Sequence, residues 1–226
     1  MFEYVPRHYD ETLVLVRGWA FDQRIFEPLD LPFNYLYYVG QGMGTFASQL
    51  NLWLTEHNIE RLSLFGWSMG AYAVSDFAIR FPDKVREVYL VGARRHYPAD
   101  EVAYVEKMLQ RNPKGFMRKL YKDCFAGHTR ELYRWFKGYL QPDYLQQWSV
   151  PELRADLDWI RAQELDTAAL NPVAHTIVVH GLADRLAPEA EARDLVAGLP
   201  AGRAVLIEAA GHVPFLVENF RQRLVS

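Results

Sequence analysis

The segment Phe65-Gly66-Trp67-Ser68-Met69-Gly70 lies between an apolar run, Arg61 to Phe65, and a helix-like run, Ala71 to Phe81. A strand that turns directly into a helix within four residues leaves little freedom to the rest of the chain. The serine at such a turn stands clear of the backbone with its hydroxyl exposed. Glycines at 66 and 70 make room for the turn, because a Cβ at either place would strike the neighbouring strand or helix. A serine presented in this way is a nucleophile in search of a base.

The remaining pattern agrees with a strand–helix alternation. Short apolar runs at Thr12–Arg17, Asn34–Val39, Arg61–Phe65, Val85–Val91, His175–His180 and Arg203–Glu208 predict strands, and residues 2–5 add a candidate edge strand. Helical periods near Phe46–His57, Met69–Phe81 and Glu189–Ala197 fall between them. Such alternation predicts an α/β fold with a mostly parallel sheet and helices on both faces. Between Arg94 and Leu170 the alternation stops. That stretch is helical in period and rich in aromatics, so residues 1–93 and 171–226 are expected to form the core and 94–170 an inserted helical cap. The cap is electrically uneven: residues 94–137 hold 11 basic and 5 acidic side chains, residues 138–170 hold 2 and 6.

Bulk numbers narrow the function classes. With 226 residues, half of them hydrophobic, the chain can bury a sizeable core. A net charge of -3 argues against nucleic acid as the main partner. The single cysteine, Cys124, excludes an internal disulfide and fits a reducing compartment. No apolar run approaches the ~20 residues that span a bilayer, and the first residues carry no secretory pattern. A soluble cytoplasmic protein is the expectation.

Serine becomes a useful nucleophile when a histidine takes its proton and a carboxylate holds that histidine in the right tautomer. The order expected on such a sheet is Ser, acid, His. Asp184, in His180-Gly181-Leu182-Ala183-Asp184, is the acid candidate, and His212, in Ala210-Gly211-His212-Val213-Pro214-Phe215, is the base candidate. With Ser68, each follows the C-terminal end of a predicted strand, the edge where open α/β sheets place their sites. The loop Arg17-Gly18-Trp19 follows the first strong strand. It offers the Trp19 N–H as one oxyanion donor, and the Met69 N–H supplies the other. The motif predicts no metal and no diffusible cofactor.

Gly18-Trp19, Gly66-Trp67-Ser68-Met69-Gly70, Gly181-x-x-Asp184 and Gly211-His212-x-Pro214-Phe215 together resemble the α/β-hydrolase superfamily. Within it, the Gly-Trp loop, the Gly-Trp-Ser and the Asp-to-His interval are most similar to the biotin-pathway pimeloyl-acyl-carrier-protein methyl ester esterases. The resemblance spans almost the whole chain outside the cap. It implies an α/β-hydrolase fold, a Ser-His-Asp esterase with a four-helix cap, and removal of the methyl ester from a carrier-bound pimeloyl chain. Departures are present. Arg17 stands where members usually have histidine, Val39-Gly40-Gln41-Gly42-Met43-Gly44 replaces the usual Asp-x-Pro-Gly-x-Gly, the edge hairpin looks reduced and the last helix short.

Other roles compete for several of these residues. Asp184 could cap a helix beginning near Pro188. His180 reads as a satisfied core histidine, and Cys124 as a packing residue. Trp67 either lines an acyl pocket or packs under the sheet. Arg111, Lys114, Arg118, Lys119 and Lys122 would share one broad face of a continuous helix, and Arg130 and Arg134 extend it. That face is a solvated surface or a landing site for an acidic acyl carrier protein. The aromatics Phe116, Tyr121, Phe125, Tyr133, Trp135 and Phe136 would wall an acyl tunnel or hold the cap down. Two readings stand beside the carrier-ester esterase. One is an enzyme of the same fold acting on a small free ester or on a ring-cleavage or menaquinone-pathway substrate. The other is a ligand-binding protein that has kept the fold without catalysis.

Overall fold

The structure is a computed structural model that describes residues 1–40, 42–170, 173, 175–199 and 202–225. The expected cap boundary at 170/171 falls on Asn171 and Pro172, and Gln41 of the loop after the second core strand is also outside the described residues.

Seven strands form one sheet: β1 (Phe2–Val5), β2 (Thr12–Val16), β3 (Asn34–Tyr38), β4 (Leu62–Trp67), β5 (Val85–Val91), β6 (His175–Gly181) and β7 (Arg203–Ile207). Their spatial order is β1-β3-β2-β4-β5-β6-β7, with only β1 antiparallel to its neighbour. Every residue of β2 and β4 is buried. That fits parallel strands covered on both faces, which read as unbroken apolar runs rather than as alternation. Strand β4 runs to Trp67, two residues past the predicted end, because Gly66 and Trp67 still pair with Leu90 and Val91.

Helices α1 (Phe46–Glu56), α2 (Met69–Arg80), α8 (Glu189–Ala197) and α9 (Phe220–Val225) belong with the sheet. The chain passes from β2 to β3 on one side and then returns to place β4 on the other side of β2. The crevice between β2 and β4 is therefore the switch point at which sheets of this kind bind ligands.

Between β5 and β6 the chain forms α3 (Ala99–Arg111), α4 (Pro113–Cys124), α5 (Arg130–Tyr139), α6 (Gln141–Gln147) and α7 (Val150–Arg161), five helices rather than the implied four. They are fastened to the loop after β2. Tyr121 Oη donates to the Ala20 carbonyl (3.0 Å), Trp19 Nε1 to the Leu153 carbonyl (3.0 Å), and Tyr144 Oη to Asp22 (2.8 Å). Phe21 inserts among Trp67, Tyr121, Phe136 and Tyr144, with ring centroids 4.7 to 5.9 Å apart. Tyr121, Phe125 and Phe136 pack on one another as a buried aromatic cluster of the cap and are not among the residues that line the cavity at Ser68. No helix among the described residues is long and apolar enough to cross a membrane.

Candidate active site

The strand β4 delivers Ser68 at its end with φ 53° and ψ -116°. A non-glycine residue there carries about 1–3 kcal/mol of backbone strain. The surroundings force it: a Cβ at Gly66 would lie 2.5 Å from the Gly70 carbonyl oxygen, and one at Gly70 would lie 2.3 Å from the Val16 carbonyl oxygen. Two close backbone approaches thus fix the turn from β4 into α2. Met69 is the first residue of α2, so its N–H lies outside the helical hydrogen-bond ladder and at the positive end of the helix dipole.

His212 Nε2 lies 2.9 Å from Ser68 Oγ, and His212 Nδ1 lies 2.8 Å from Asp184 Oδ2. The other Asp184 oxygen accepts from the Leu186 N–H (2.7 Å) and the Ala187 N–H (3.0 Å). Asp184 therefore organises its own loop, but Pro188 occupies the N-cap position of α8, so the rival capping role falls away. Burial alone would raise the Asp184 pKa. The neighbouring His212 and the hydrogen bonds from His212, Ala187 and Leu186 outweigh it and hold the carboxyl below its ordinary range. The backbone that carries the imidazole is held on both sides of its Cα: His212 N–H donates to the Cys124 carbonyl (2.9 Å), and the His212 carbonyl accepts from Trp67 Nε1 (2.6 Å).

These groups meet at a cavity of about 130 Å³ lined by Gly18, Trp19, Ser68, Leu157, Ile160 and His212, among others. Trp67 lines it as well and is 1% exposed, so it both packs and faces the cavity. A second groove, bordered by Tyr104, Phe116 and Lys119, shares Glu101, Val105, Leu120 and Leu186 with the cavity. This groove lies against the cavity, with the four shared side chains between them.

Not every singled-out residue reaches this place. His180 is wholly buried. Its Nε2 donates to the Ala187 carbonyl (3.0 Å), while Nδ1 has no partner among the described residues, so it is only half satisfied. Desolvation lowers its pKa, and the ring serves the loop that carries Asp184. Cys124 is a buried thiol whose pKa burial pushes up, leaving a neutral wall of the cavity. Arg17 turns away from Ser68: its guanidinium lies 3.5 Å from Asp156 on α7 and over the Trp148 ring at 5.0 Å. The charge it brings in place of histidine is absorbed by the cap.

The continuous basic helix needs correcting. The chain breaks at Asn112, whose side chain accepts from the Gly115 N–H (3.0 Å), and Pro113 starts a new helix. Arg111 ends α3, whereas Arg118 and Lys122 lie exposed on α4 with Lys114, four residues apart along one stripe. Lys119 pairs with Asp123 (2.6 Å). Arg130 and Arg134 are exposed on α5, Arg134 3.8 Å from Glu131.

One site residue escapes the sequence reading. Tyr97 Oη lies 3.2 Å from Ser68 Oγ, and the ring lines the cavity. Nothing in its spacing ties it to Ser68; the loop after β5 brings it there.

Residues 6–225 match the Alpha/beta hydrolase family, and the chain belongs to that family. Among curated relatives it is 27% identical to the pimeloyl-acyl-carrier-protein methyl ester esterase of Xylella fastidiosa strain M12, over 92% of this chain and 90% of the relative. It is 24% identical to the enzyme of the same name from Aeromonas hydrophila, over 90% and 89%. Among solved structures, the esterase EaEST from Exiguobacterium antarcticum superimposes with a TM-score of 0.80 at 20% identity, covering 99% of this chain and 92% of that one. That likeness bears on the fold.

Proposed function

We propose that this protein is a serine carboxylesterase that cleaves the methyl ester of a pimeloyl chain carried by acyl carrier protein, in the cytoplasm. The observation that carries the reaction type is the Asp184–His212–Ser68 relay, with contacts of 2.8 and 2.9 Å, at the foot of an apolar cavity. The names of the curated relatives support the substrate.

The mechanism follows from the geometry. The Asp184 carboxylate can only accept, so it fixes the proton on His212 Nδ1 and leaves Nε2 free to take the Ser68 proton. Ser68 Oγ attacks the ester carbonyl. The Trp19 and Met69 amides, from the loop after β2 and the start of α2, stabilise the oxyanion. The imidazolium, held beside Asp184, returns its proton to the departing alkoxide, giving methanol and an acyl-enzyme. Water activated by the same Nε2 then frees the acid and restores Ser68. No step uses a metal or a cofactor.

The exposed cations of the cap, Lys114, Arg118 and Lys122 on α4, Arg130 and Arg134 on α5 and Arg111 at the end of α3, would receive an acidic carrier. The test is intact-protein mass spectrometry on pimeloyl-acyl carrier protein methyl ester, with Ser68→Ala as control. Loss of a methylene mass by the wild type alone supports the reading. Cleavage of a simple ester without cleavage of the carrier-bound one moves the substrate to the free small-molecule class. Failure of both, with no fluorophosphonate labelling of Ser68, leaves a non-catalytic binding protein.

A further inference from the structure

We infer that Tyr97 is a further catalytic residue of this site: its phenol donates a hydrogen bond to the alkoxy oxygen that leaves the ester. The inference rests on the esterase reading above and deepens it.

A count of protons gives the direction of the bond. His212 Nδ1 faces a carboxylate and must carry the ring proton, so Nε2 is an acceptor. Ser68 has one proton, and it is committed to Nε2 across 2.9 Å. The 3.2 Å contact between Ser68 Oγ and Tyr97 Oη can therefore be made only with Tyr97 as the donor. Desolvation pushes the Tyr97 pKa up to about 12, so the phenol keeps its proton throughout the working range of an esterase.

The strand order gives the side. Spatially β4 lies between β2 and β5. The loop after β2 carries Trp19 to one flank of Ser68, and the loop after β5 carries Tyr97 to the other. Trp19, one of the two proposed oxyanion donors, is on the first flank and the other, Met69, directly follows Ser68, so Tyr97 is on the side away from Trp19 and faces the substituent opposite the oxyanion. Once Oγ has bonded to the carbonyl carbon it is a poor acceptor. The alkoxy oxygen, two bonds away on the same carbon, gathers negative charge as its C–O bond breaks. Tyr97 then hydrogen-bonds to that oxygen, His212 delivers the proton to it, and Tyr97 retains its own. In the second half-reaction the attacking water takes the same place.

The phenol is held ready for this. Its ring lies over the Arg94 guanidinium at 5.1 Å. Arg94, 6% exposed, is itself fixed by Glu101 (2.7 Å), the Leu186 carbonyl (3.1 Å) and Glu191 (3.5 Å). A donor fixed before the charge develops needs no reorganisation when the charge appears.

The test compares Tyr97→Phe with wild type on butyrate esters of methanol, ethanol, phenol and p-nitrophenol, reading kcat/KM, which reports acylation. Methoxide needs help to leave and p-nitrophenoxide does not. The expected result is a loss of about ten- to hundred-fold on the alkyl esters and less than about three-fold on the p-nitrophenyl ester, with KM little changed. Unchanged circular dichroism and Ser68 labelling by a fluorophosphonate show that fold and nucleophile are intact. Equal losses across the series would reduce Tyr97 to a support for Ser68 and overturn the inference, as would no loss at all. A wild type inactive on every ester would overturn the esterase reading, and this role with it.

Discussion

Replacing Asp184 by Asn exchanges one heavy atom and keeps the shape, which makes its effect calculable. Asp184 Oδ1 receives the Leu186 and Ala187 N–H groups at 2.7 and 3.0 Å. An Asn side chain must put its carbonyl oxygen there, because its amino group would face two donors. The amino group then points at His212 Nδ1, 2.8 Å away in the wild type. That nitrogen must give up its proton, so Nε2 becomes the N–H and faces Ser68 Oγ as a donor. The imidazole can no longer act as a base. Restoring the working tautomer sets donor against donor in a buried site. Each unsatisfied buried donor costs about 1–3 kcal/mol, so two of them cost about 2–6 kcal/mol, or about thirty-fold to 10⁴ in rate. A wrong tautomer in this type of triad lowers kcat by about 10⁴, at the upper end of that range. The assay is kcat and KM on a soluble methyl ester, with the expectation that kcat falls and KM stays, since Asp184 does not touch the ester. A loss below about thirty-fold would refute the tautomer argument.

Three further outcomes are expected. Because the Asp184 carboxyl is held below its ordinary range, its contribution to stability is complete above the unfolded value near 4 and disappears as pH falls through the lower folded value; thermal melts from pH 5 to pH 2 should therefore show a shallower acid-side decline for Asp184→Asn than for wild type. Gly70→Ala should lose about 2–3 kcal/mol or more in urea unfolding, since the new Cβ would lie 2.3 Å from the Val16 carbonyl oxygen and 2.8 Å from that of Arg17; a melting temperature within about 2 °C of wild type would contradict this. The double reversal Arg118→Glu/Lys122→Glu should raise KM for the carrier-bound ester about five-fold or more and leave a free methyl ester unaffected, and equal effects on both would remove the landing surface.

The core was largely readable in the sequence because parallel strands buried on both faces announce themselves as apolar runs. Val85–Val91 and Glu189–Ala197 match their predicted limits, while β4 overran because pairing, and not apolarity, carries Trp67. Ser68, Asp184 and His212 could be placed together from motif order alone, since each follows a strand end and the sheet aligns those ends. The break at Asn112 was also legible: an asparagine before a proline is a helix start, and the regular spacing of cations across it masked the signal. Tyr97 and the Arg17–Asp156 pair were not legible. Their partners are 29 and 139 residues away, and only the folded loops bring them into contact.

The fastening of the Gly18-Trp19 loop to α7 bears on how such an enzyme can change. Arg17 pairs with Asp156, and the Trp19 indole donates to the Leu153 carbonyl. A substitution that shifts α7 would therefore shift the very peptide groups proposed to face the oxyanion. The groove beside the cavity, by contrast, is framed by α3 and α4 through Tyr104, Val105, Phe116 and Leu120. A lineage, or a designer, can recut that frame for a longer chain or a different carrier and leave the chemistry standing. The cap is thus divided between a half that must be inherited nearly intact and a half free to vary with the substrate.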